Sequence, residues 1–574
     1  MSGERVLYGV AGSPGIGMGH ALVYREKPMG SLEREVTDVK LELERYHNAV
    51  ETFCRVTEAK ADRVAEMAGK EQGDIIRCQS AMIRDPYLNG QVEGRIASRQ
   101  SAEEALSASC DLFIDLFTAS DDEVTRQRAA DVRDLRGAML RLLLGLPETD
   151  FSALKPGTVL LAEELSPSAV SVLNSANVAG IVLGKGGPTS HSAILARALE
   201  IPAVLGVEDR VLDTAPGEEV IVDGNRGCAV FSPGQVMRSV YESRQREFLQ
   251  LRASLREFVG RQTVTAEGQR IHLFANAGSV ADASRAAGYG CDGIGLVRTE
   301  FLYLDRTSQP GEEEQFHAYR QILSAMRDKP VIIRTLDVGG DKELPYLDQP
   351  QEENPFLGCR GLRFSLREED MFRVHLRAVL RASAYGKAQL LLLPMVTGVE
   401  EIRRAREILE EEKEVLRRRR VAFDEHLPMG AMVETVAACL MAEAMAKEVD
   451  FFSIGTNDLT QYILGVDRGN ARVAHLYSYF HPAVLRQVRQ VLEAARNTGT
   501  PVGMCGEAAA DTALTPVLLT FGLEDFSVAP VSLLPVRKAI SLWNREEARA
   551  VTEEALALDT EEEVRQYLKS REKR

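Results

Sequence analysis

The sequence predicts a multidomain α/β protein in which a small α/β domain with an inserted α-helical subdomain precedes a C-terminal (β/α)8 barrel. Three observations predict this organisation. The chain has 574 residues, too many for a single hydrophobic core. Residues 31–68 contain no glycine or proline and repeat apolar side chains at helical spacing. Beyond residue 270, short apolar segments alternate strictly with helical ones, which is typical of a parallel barrel.

The first 25 residues are rich in glycine and end in a short apolar segment. Their glycine spacing differs from G-x-G-x-x-G, so we expect turns between short strands rather than a dinucleotide site. After the long glycine-free helix, further helices are predicted at 74–84, 91–118 and 122–144. Apolar strands return at 157–162, 179–183, 202–205 and 220–223. We therefore assign residues 1–25 and 146–232 to the α/β domain and 26–145 to the helical insertion.

A proline and a glycine at residues 233 and 234 mark the next boundary. The charged stretch 236–259 predicts a connecting helix, which places a linker at 233–262 and the barrel at 263–574. The eight predicted barrel strands are 271–277, 293–297, 331–335, 361–364, 390–396, 430–433, 451–454 and 502–504. Active sites of such barrels lie at the carboxyl ends of the strands, so polar residues there are the candidates for function.

Composition and charge exclude several classes of protein. The net charge of −16 argues against a nucleic-acid-binding protein, which normally presents a basic surface. The N-terminus lacks the basic and apolar pattern of a signal peptide, and no apolar run approaches the length of a membrane span. The eight cysteines are scattered singly and lack the spacing of a zinc site. We expect a cytoplasmic protein with reduced thiols and no membrane insertion.

A glycine turn joins the predicted strand 179–183 to a predicted helix, and His191 lies at the start of that helix. The run from 186 to 197 is GGPTSHSAILAR. Glycines allow a sharp bend and a close approach to a ligand, and the N–H groups of a helix N-terminus favour phosphate. A lone histidine here could simply cap the helix. The flanking residues, however, are similar to the phosphohistidine segment of enzymes that move phosphate between phosphoenolpyruvate and a protein histidine.

Charged and polar residues follow the predicted barrel strands. A single arginine at such a position is explained equally well by a surface ion pair, but several that converge on one rim beside carboxylates are not. Arginine matches phosphate and carboxylate oxygens with two parallel hydrogen bonds, and a pair of acidic side chains suits Mg²⁺. The set is Arg298, Arg334, Arg360, Arg363, Glu434, Asn457, Asp458, Arg468 and Cys505. It predicts a site for a small, doubly anionic phosphorylated acid bound through a metal ion.

With both regions considered, the chain closely resembles the enzyme I family of the bacterial phosphotransferase system, the phosphoenolpyruvate–protein phosphotransferases. The resemblance covers nearly the whole chain. It is carried by residues 13–16, 128–134, 186–197, 292–301, 353–358, 454–459 and 503–507. One departure is visible: the family usually has a proline at the position of Val436, two residues after Glu434. The carboxylate is retained, so the expected difference is confined to the local turn.

The resemblance implies a swivelling phosphohistidine domain and a TIM barrel that binds phosphoenolpyruvate. The phosphoryl group would pass to His191 and then to a histidine of the small carrier HPr, with release of pyruvate, as the first general step of sugar uptake. The resemblance assigns substrate binding to Arg298, Arg334, Arg360, Asn457, Asp458 and Arg468, Mg²⁺ to Glu434 and Asp458, and proton donation to Cys505. It also implies HPr docking on the inserted helices and homodimerisation through the barrel. Because His191 and the barrel lie in different predicted domains, we expect the His191 domain to swing on the connecting helix.

Two alternatives remain open. A pyruvate, phosphate dikinase or a phosphoenolpyruvate synthase shares both modules, but it also needs a large ATP-grasp domain, and this sequence shows no nucleotide site. A signalling relay descended from the enzyme would carry a sensor domain ahead of the same modules, whereas every assigned catalytic residue is present here. Phosphorylation of His191 by ATP would favour the first alternative. Failure to bind Mg²⁺ and phosphoenolpyruvate would favour the second.

Overall fold

The structure is a computed structural model, and it describes most of the chain. The described residues are 4–25, 34–68, 70–118, 123–146, 151, 154–165, 167–170, 173, 176–187, 190–207, 209–304, 306, 308–339, 344, 346–347, 352–386, 389–470 and 472–573. The chain forms two compact units, which divide between residues 252 and 253. No helix within the described ranges combines the length and the apolar composition needed to cross a membrane.

The first unit combines an eight-stranded sheet with five long helices that are inserted between its third and fourth strands. The strands are β1 Arg5–Tyr8, β2 Val10–Ser13, β3 Ile16–Tyr24, β4 Thr158–Ala162, β5 Val178–Leu183, β6 Ala203–Leu205, β7 Glu219–Asp223 and β8 Cys228–Phe231. The helices are α1 Val39–Ala68, α2 Lys70–Ile83, α3 Pro86–Ala97, α4 Ala102–Thr118, α5 Glu123–Leu143, α6 Pro167–Val170, α7 His191–Ala198 and α8 Gln235–Arg256. The predicted strands between 157 and 223 are confirmed as β4 to β7.

The sheet curls because its two edge strands are neighbours in sequence. The strand order is β1-β8-β7-β3-β4-β5-β6-β2, with β3 to β6 parallel and the other neighbours antiparallel. Only Gly9 separates β1 from β2, so the two edges must approach each other there. The Gly9 N–H donates to the carbonyl of Gly227 at 2.8 Å, and a Cβ on Gly9 would overlap the carbonyl oxygen of Leu205. Glycine is therefore required where the edges meet.

The predicted single helix 91–118 is wrong, because the chain breaks between α3 and α4. Arg99 has a φ of +66°, which ends α3 in a left-handed turn. Ser101 then caps α4: its hydroxyl accepts from the Glu104 N–H at 3.2 Å, and the Glu104 carboxylate accepts from the Ser101 N–H at 3.3 Å. This reciprocal capping box is visible in the sequence as S-x-x-E, a helix-start signal. The predicted helix 122–144 is confirmed as α5.

The predicted connecting helix is confirmed as α8, and its first half is tied to the sheet of the first unit. Tyr241 is buried, with its hydroxyl 3.7 Å from the Cys228 sulfur. The side-chain amide of Gln245 donates to the carbonyl of Ile16 at 2.8 Å. The N-terminal half of α8 is thus part of the first unit rather than a free tether.

The second unit is a closed barrel of eight parallel strands surrounded by helices. The strands are β9 His272–Ala277, β10 Ile294–Val297, β11 Val331–Arg334, β12 Gln389–Leu393, β13 Met429–Val433, β14 Phe452–Ile454, β15 Val502–Met504 and β16 Asp525–Val528. The helices are α9 Val280–Gly288, α10 Glu312–Met326, α11 Leu362–Arg367, α12 Glu369–Ser383, α13 Val399–Arg419, α14 Val436–Leu440, α15 Ala442–Met445, α16 Thr456–Leu464, α17 Pro482–Thr498, α18 Thr515–Phe521, α19 Leu533–Leu542, α20 Arg545–Leu556 and α21 Glu561–Arg571.

The (β/α)8 barrel is confirmed, but one of its predicted strands is wrong and another was missed. The predicted strand 361–364 is instead the start of the short helix α11. Gly361, with a φ of +60°, precedes the helix, and residues 362–364 form its first turn. The eighth strand is β16, which pairs with β15 on one side and with β9 on the other, closing the barrel. The predicted number of barrel strands, eight, is still correct, because one false strand was counted and one true strand was missed.

A buried polar cluster joins α10 and α12 behind the barrel. The Nδ1 atom of His375 lies 3.0 Å from Gln315 Oε1 and 3.2 Å from the Tyr319 hydroxyl, and the Tyr303 hydroxyl donates to the same Gln315 oxygen at 2.9 Å. Burial lowers the pKa of His375 from 6.5 to about 3. The ring is therefore neutral in the folded barrel across the physiological range.

This histidine makes the barrel sensitive to acid. Since the unfolded chain binds a proton at His375 below about pH 6.5 and the folded chain does not, stability is lost as the pH falls, by roughly 2 kcal/mol between pH 6.5 and 5. Urea unfolding, followed by fluorescence of the single buried Trp543, reports on this unit. We expect His375→Gln to reduce the acid sensitivity and His317→Gln, on the exposed face of α10, to leave it unchanged. Equal acid sensitivity in His375→Gln and wild type would contradict this assignment.

Candidate active site

The carboxyl ends of the barrel strands bring together most of the predicted site residues. Arg334 is the last residue of β11, and Glu434 follows β13 directly. Asp458 lies in the first turn of α16, which follows β14. Cys505 follows β15. All four side chains are buried, so the site is an enclosed polar cluster rather than an exposed rim.

Six side chains form a chain of alternating charge across this mouth. A Glu300 carboxylate oxygen accepts from Arg334 at 2.5 Å, and Arg334 contacts Asp337 at 3.1 Å. Arg360 then bridges Asp337 and Asp458, and Arg468 lies 3.8 Å from Asp458. The series therefore links the loop after β10 to the residues that follow α16.

Arg360 is the most tightly held member of the series. Its guanidinium donates to both oxygens of Asp337, at 3.0 and 3.1 Å, and to both oxygens of Asp458, at 2.9 and 3.2 Å. Burial disfavours the charge on Arg360, but the two carboxylates outweigh it and raise its pKa. Arg360 therefore stays charged although it is only 2% exposed.

Glu434 is a buried carboxyl group in unfavourable electrostatic surroundings. One oxygen accepts from the backbone N–H of Met395 at 2.7 Å, and the other accepts no hydrogen bond within the described part of the chain. Burial, followed by the charges of Asp458 and Asp337, raises its pKa from 4.5 to about 8. A Cβ on Gly455 would lie 2.6 Å from the free oxygen, so glycine is needed beside it.

These carboxylates fit a divalent cation with few protein ligands. Burial raises the pKa of Glu434 most, and the negative charges of Asp458 and Asp337 raise it further. A cation would relieve that repulsion. Glu434 and Asp458 supply the oxygen donors that Mg²⁺ prefers. Within the described residues, no preformed group of three or more acidic, histidine or cysteine ligands surrounds a common point. Cation binding at Asp458 would therefore compete with its hydrogen bonds to Arg360.

Cys505 is a buried thiol beside this charged cluster. Burial raises its pKa, while a hydrogen bond from the Ser453 hydroxyl to its sulfur, at 3.3 Å, acts in the opposite direction. The side-chain amide of Asn276 donates to the Cys505 carbonyl at 3.0 Å, which fixes the backbone there. Cys505 is thus protonated at neutral pH and able to donate a proton.

The remaining predicted substrate residues lie at the more open edge of the site. The Asn457 side-chain oxygen accepts from the Glu507 N–H at 2.8 Å, which joins the loops after β14 and β15. Arg298 is exposed at the end of β10 and has no ion-pair partner within the described ranges. Its charge acts on Cys505 by lowering that thiol's pKa. Arg363 lies outside this cluster, because its guanidinium is within 3.4 Å of the Gly358 carbonyl and is exposed.

His191 belongs to the first unit, where it is the first residue of α7. Ser190 caps this helix with its hydroxyl, which accepts from the Ala193 N–H at 3.3 Å. Gly186, with a φ of +104°, makes the turn that follows β5. The side chain of His191 lies outside the described ones, as do Pro188 and Thr189. The backbone arrangement of strand, glycine turn and helix start agrees with the prediction.

Val436, where the resemblance leads us to expect proline, is the first residue of a capped helix. Thr435 caps α14 with its hydroxyl, which accepts from the Ala438 N–H at 3.1 Å, so Val436 is the first helical residue. Proline is favoured at this position because its missing N–H is not needed there. Valine therefore replaces proline where either residue continues the same turn.

Sequence reasoning missed the roles of Glu300 and Asp337. Glu300 lies two residues after Arg298, which follows β10, and Asp337 lies three residues after Arg334, which ends β11. Both are almost completely buried, at 4% and 1% exposed, and both contact Arg334. The available signal was their place beside the strand ends, where a buried arginine needs a counter-ion.

Known proteins similar to this chain were found along its whole length. Three family models match: PEP-utilising enzyme, N-terminal, at residues 8–128, the mobile domain at 154–227, and the PEP-binding domain at 252–545. The chain is 42% identical to the phosphoenolpyruvate-protein phosphotransferases of Bacillus sp. (strain S) and Geobacillus stearothermophilus, over 99% of this chain and 98% of each relative. A solved Enzyme I structure is 30% identical and covers 42% of this chain and 99% of its own, with a TM-score of 0.37.

The relative from Bacillus subtilis (strain 168) bears the same description, at 39% identity over 98% of this chain and 99% of its own length. Such identity over whole chains, together with the three domain matches, establishes a common family and its phosphoenolpyruvate-dependent phosphotransferase activity. The chain belongs to the phosphoenolpyruvate-protein phosphotransferase family.

Proposed function

We propose that this enzyme transfers the phosphoryl group of phosphoenolpyruvate to His191 and from there to a histidine of HPr, releasing pyruvate. The observation that carries the proposal is the buried juxtaposition of Arg334 and Arg360 with Glu434 and Asp458 at the barrel mouth. This arrangement suits a small substrate that bears both a phosphate and a carboxylate. The family relationship supplies the phosphoenolpyruvate chemistry.

Substrate binding falls to the arginines and Asn457. Two parallel hydrogen bonds from a guanidinium match the oxygens of a phosphate or a carboxylate, so Arg334 and Arg360 would hold the buried end of the substrate. Arg298, which is exposed and without an ion-pair partner in the described ranges, would meet it at the open edge with Arg468. Their summed positive charge stabilises the charge on the transferring group.

Glu434 and Asp458 would hold Mg²⁺. When bound, this ion supplies positive charge against the substrate oxygens. The protein's own contribution is to keep both carboxylates buried and close, at the cost of the raised pKa of Glu434.

The chemistry requires a nucleophile and an acid. The neutral imidazole of His191 attacks phosphorus, the bond between phosphorus and the enol oxygen breaks, and its electron pair stays on the departing enolate. Cys505 donates its proton to the enolate carbon, which yields pyruvate, and the thiolate regains a proton from water. An unperturbed imidazole, with a pKa of about 6.5, is largely neutral at pH 7, and the neutral form is the one that can attack. The N-terminus of α7 then favours the phosphoryl group that it carries.

The partner surfaces belong to the same proposal. Tyr87 on α3 and Leu112 and Leu116 on α4 are apolar side chains between 54% and 66% exposed, and we assign them to HPr docking. The exposed Leu440 and Leu476 of the barrel unit are assigned to the homodimer contact. His191 and Arg334 belong to different units, and we propose that the His191 domain moves between the barrel and HPr during transfer.

Pyruvate formation tests the function directly. Without HPr, the enzyme with phosphoenolpyruvate and Mg²⁺ should release one pyruvate per active site and then stop. With HPr, release should continue until the carrier is fully phosphorylated. Sustained release without HPr would mean that water is the acceptor, and labelling from ATP instead of phosphoenolpyruvate would indicate the dikinase alternative. Either result would overturn the proposal.

A further inference from the structure

We propose that Asp337 is a positioning residue for phosphotransfer: it holds the guanidinium groups of Arg334 and Arg360 as one preassembled anion-binding unit. The inference rests on the proposed function, because it takes both arginines as substrate ligands. It goes beyond that function by assigning the spacing of the two cations to a third, buried side chain.

Asp337 lies between the two guanidinium groups. Its Oδ2 atom is 3.1 Å from Arg334 Nη1 and accepts from Arg360 Nη2 at 3.1 Å, while Oδ1 accepts from Arg360 Nε at 3.0 Å. Within the described part of the chain, Asp337 is the carboxylate that contacts both arginines. At 1% exposed, it is shielded from water, so these ion pairs are not weakened by solvent.

The backbone around Asp337 is built to place its carboxylate there. Its own N–H donates to Glu300 at 3.2 Å, the carboxylate that also binds Arg334. Gly339, with a φ of +101°, packs so closely on the 359–361 segment that a Cβ would lie 2.5 Å from the Cys359 carbonyl oxygen. Gly361, with a φ of +60°, has room for a hydrogen only, because a Cβ would lie 2.7 Å from Met395 Cβ. Two left-handed glycines thus let the loop of Asp337 meet the segment of Arg360.

Electrostatics explains why a carboxylate is needed at this point. Two guanidinium groups aimed at one small substrate repel each other, and in a buried site that repulsion would spread them apart. Asp458 cannot replace Asp337, because Asp458 is the proposed Mg²⁺ ligand. It contacts Arg360 and lies 3.8 Å from Arg468. When Asp458 binds a cation, Asp337 still accepts hydrogen bonds from Arg360. Preassembly of this kind lowers the cost of ordering charged groups when substrate binds.

Steady-state kinetics on the full-length enzyme tests the inference. We expect Asp337→Asn, which keeps the size but removes the charge, to raise the KM for phosphoenolpyruvate about 10- to 100-fold and to lower kcat as well. The matched control is Asp525→Asn. Asp525 begins β16, at the opposite end of the barrel strands from the site, and its carboxylate pairs with His272. That control should leave KM within about twofold of wild type.

A second variant separates positioning from simple charge balance. Asp337→Glu retains the negative charge and moves it by one methylene, so it tests spacing even if Asp337→Asn folds poorly. We expect Asp337→Glu also to raise KM, by about 3- to 10-fold, with a Tm close to that of the wild type. An unchanged KM in Asp337→Glu, or a fall in kcat alone that tracks the folded fraction of Asp337→Asn, would overturn the inference. A wild-type enzyme that forms no pyruvate would instead refute the proposed function, and this assignment with it.

Discussion

Replacing His191 by alanine is expected to reduce phosphoryl transfer from phosphoenolpyruvate to background, both onto the enzyme and onto HPr. The variant has no nucleophile at the start of α7. Since the proposed route to HPr passes through phosphohistidine, the phosphoryl group should not reach HPr either. Binding of phosphoenolpyruvate to the barrel should be unaffected, because Arg334 and Arg360 belong to the other unit. The measurement is acid-labile ³²P on each protein, with calorimetry for binding.

The matched control for this variant is His20→Ala. His20 lies in β3 of the same unit, is exposed, and its Nδ1 atom is 3.2 Å from the Gly217 carbonyl. We expect this variant to be labelled like the wild type. Labelling of HPr by the His191→Ala enzyme would show that another group carries the phosphoryl.

Glu434→Gln is expected to have opposite effects on activity and on stability. The amide cannot serve as an anionic ligand, so we expect phosphotransfer to fall by roughly 10³-fold and direct binding of Mn²⁺, a spectroscopic substitute for Mg²⁺, to weaken. The matched control is Glu443→Gln, an exposed carboxyl near the start of α15, which should change neither. Unchanged Mn²⁺ affinity in Glu434→Gln would remove Glu434 from the metal site.

The stability effect follows from the raised pKa of Glu434. The unfolded chain loses this proton near pH 4.5 and the folded chain only near pH 8, so the wild type loses stability as the pH rises between these values. Glutamine removes that penalty, and we expect the metal-free variant to gain on the order of 1–3 kcal/mol at pH 7 and nothing at pH 4. Urea unfolding followed by Trp543 fluorescence measures both. A variant less stable than the wild type at pH 7 would contradict the electrostatic account of this site.

Most of the fold follows from periodicity in the sequence, and the two errors in the barrel lie where an element is too short for its period to be identified. The glycine-free run predicted α1, and the alternation beyond residue 270 predicted the barrel. Helix α11 has only six residues, so its buried Leu362 and Phe364 resemble the alternation of a strand. Strand β16 has four residues and follows Gly522, which separates it from α18. Neither segment is long enough for a helical period to be told from a strand period in the sequence.

The sequence predicted where the site residues lie along the chain, but it did not predict which of them form ion pairs. Arg334, Glu434 and Cys505 follow strand ends, which is where a barrel places its chemistry. The pairing of Arg360 with Asp337 and Asp458 joins the two ends of the long connection between β11 and α11 to the first turn of α16, and no spacing in the sequence encodes which of these segments meet. Glu300 and Asp337 were overlooked for the same reason, because a buried counter-ion is recognised only once its arginine is seen to be buried.

The central claim is that one imidazole receives phosphorus from a substrate bound in the other unit. Its most direct test is to locate the phosphoryl group in the full-length enzyme after a brief reaction with phosphoenolpyruvate and Mg²⁺, by ³¹P NMR and by mass spectrometry of peptides kept at alkaline pH. The account predicts a single phosphoramidate resonance and one modified peptide, with the group on His191. A phosphoryl group on any other residue, or an unmodified enzyme, would contradict it.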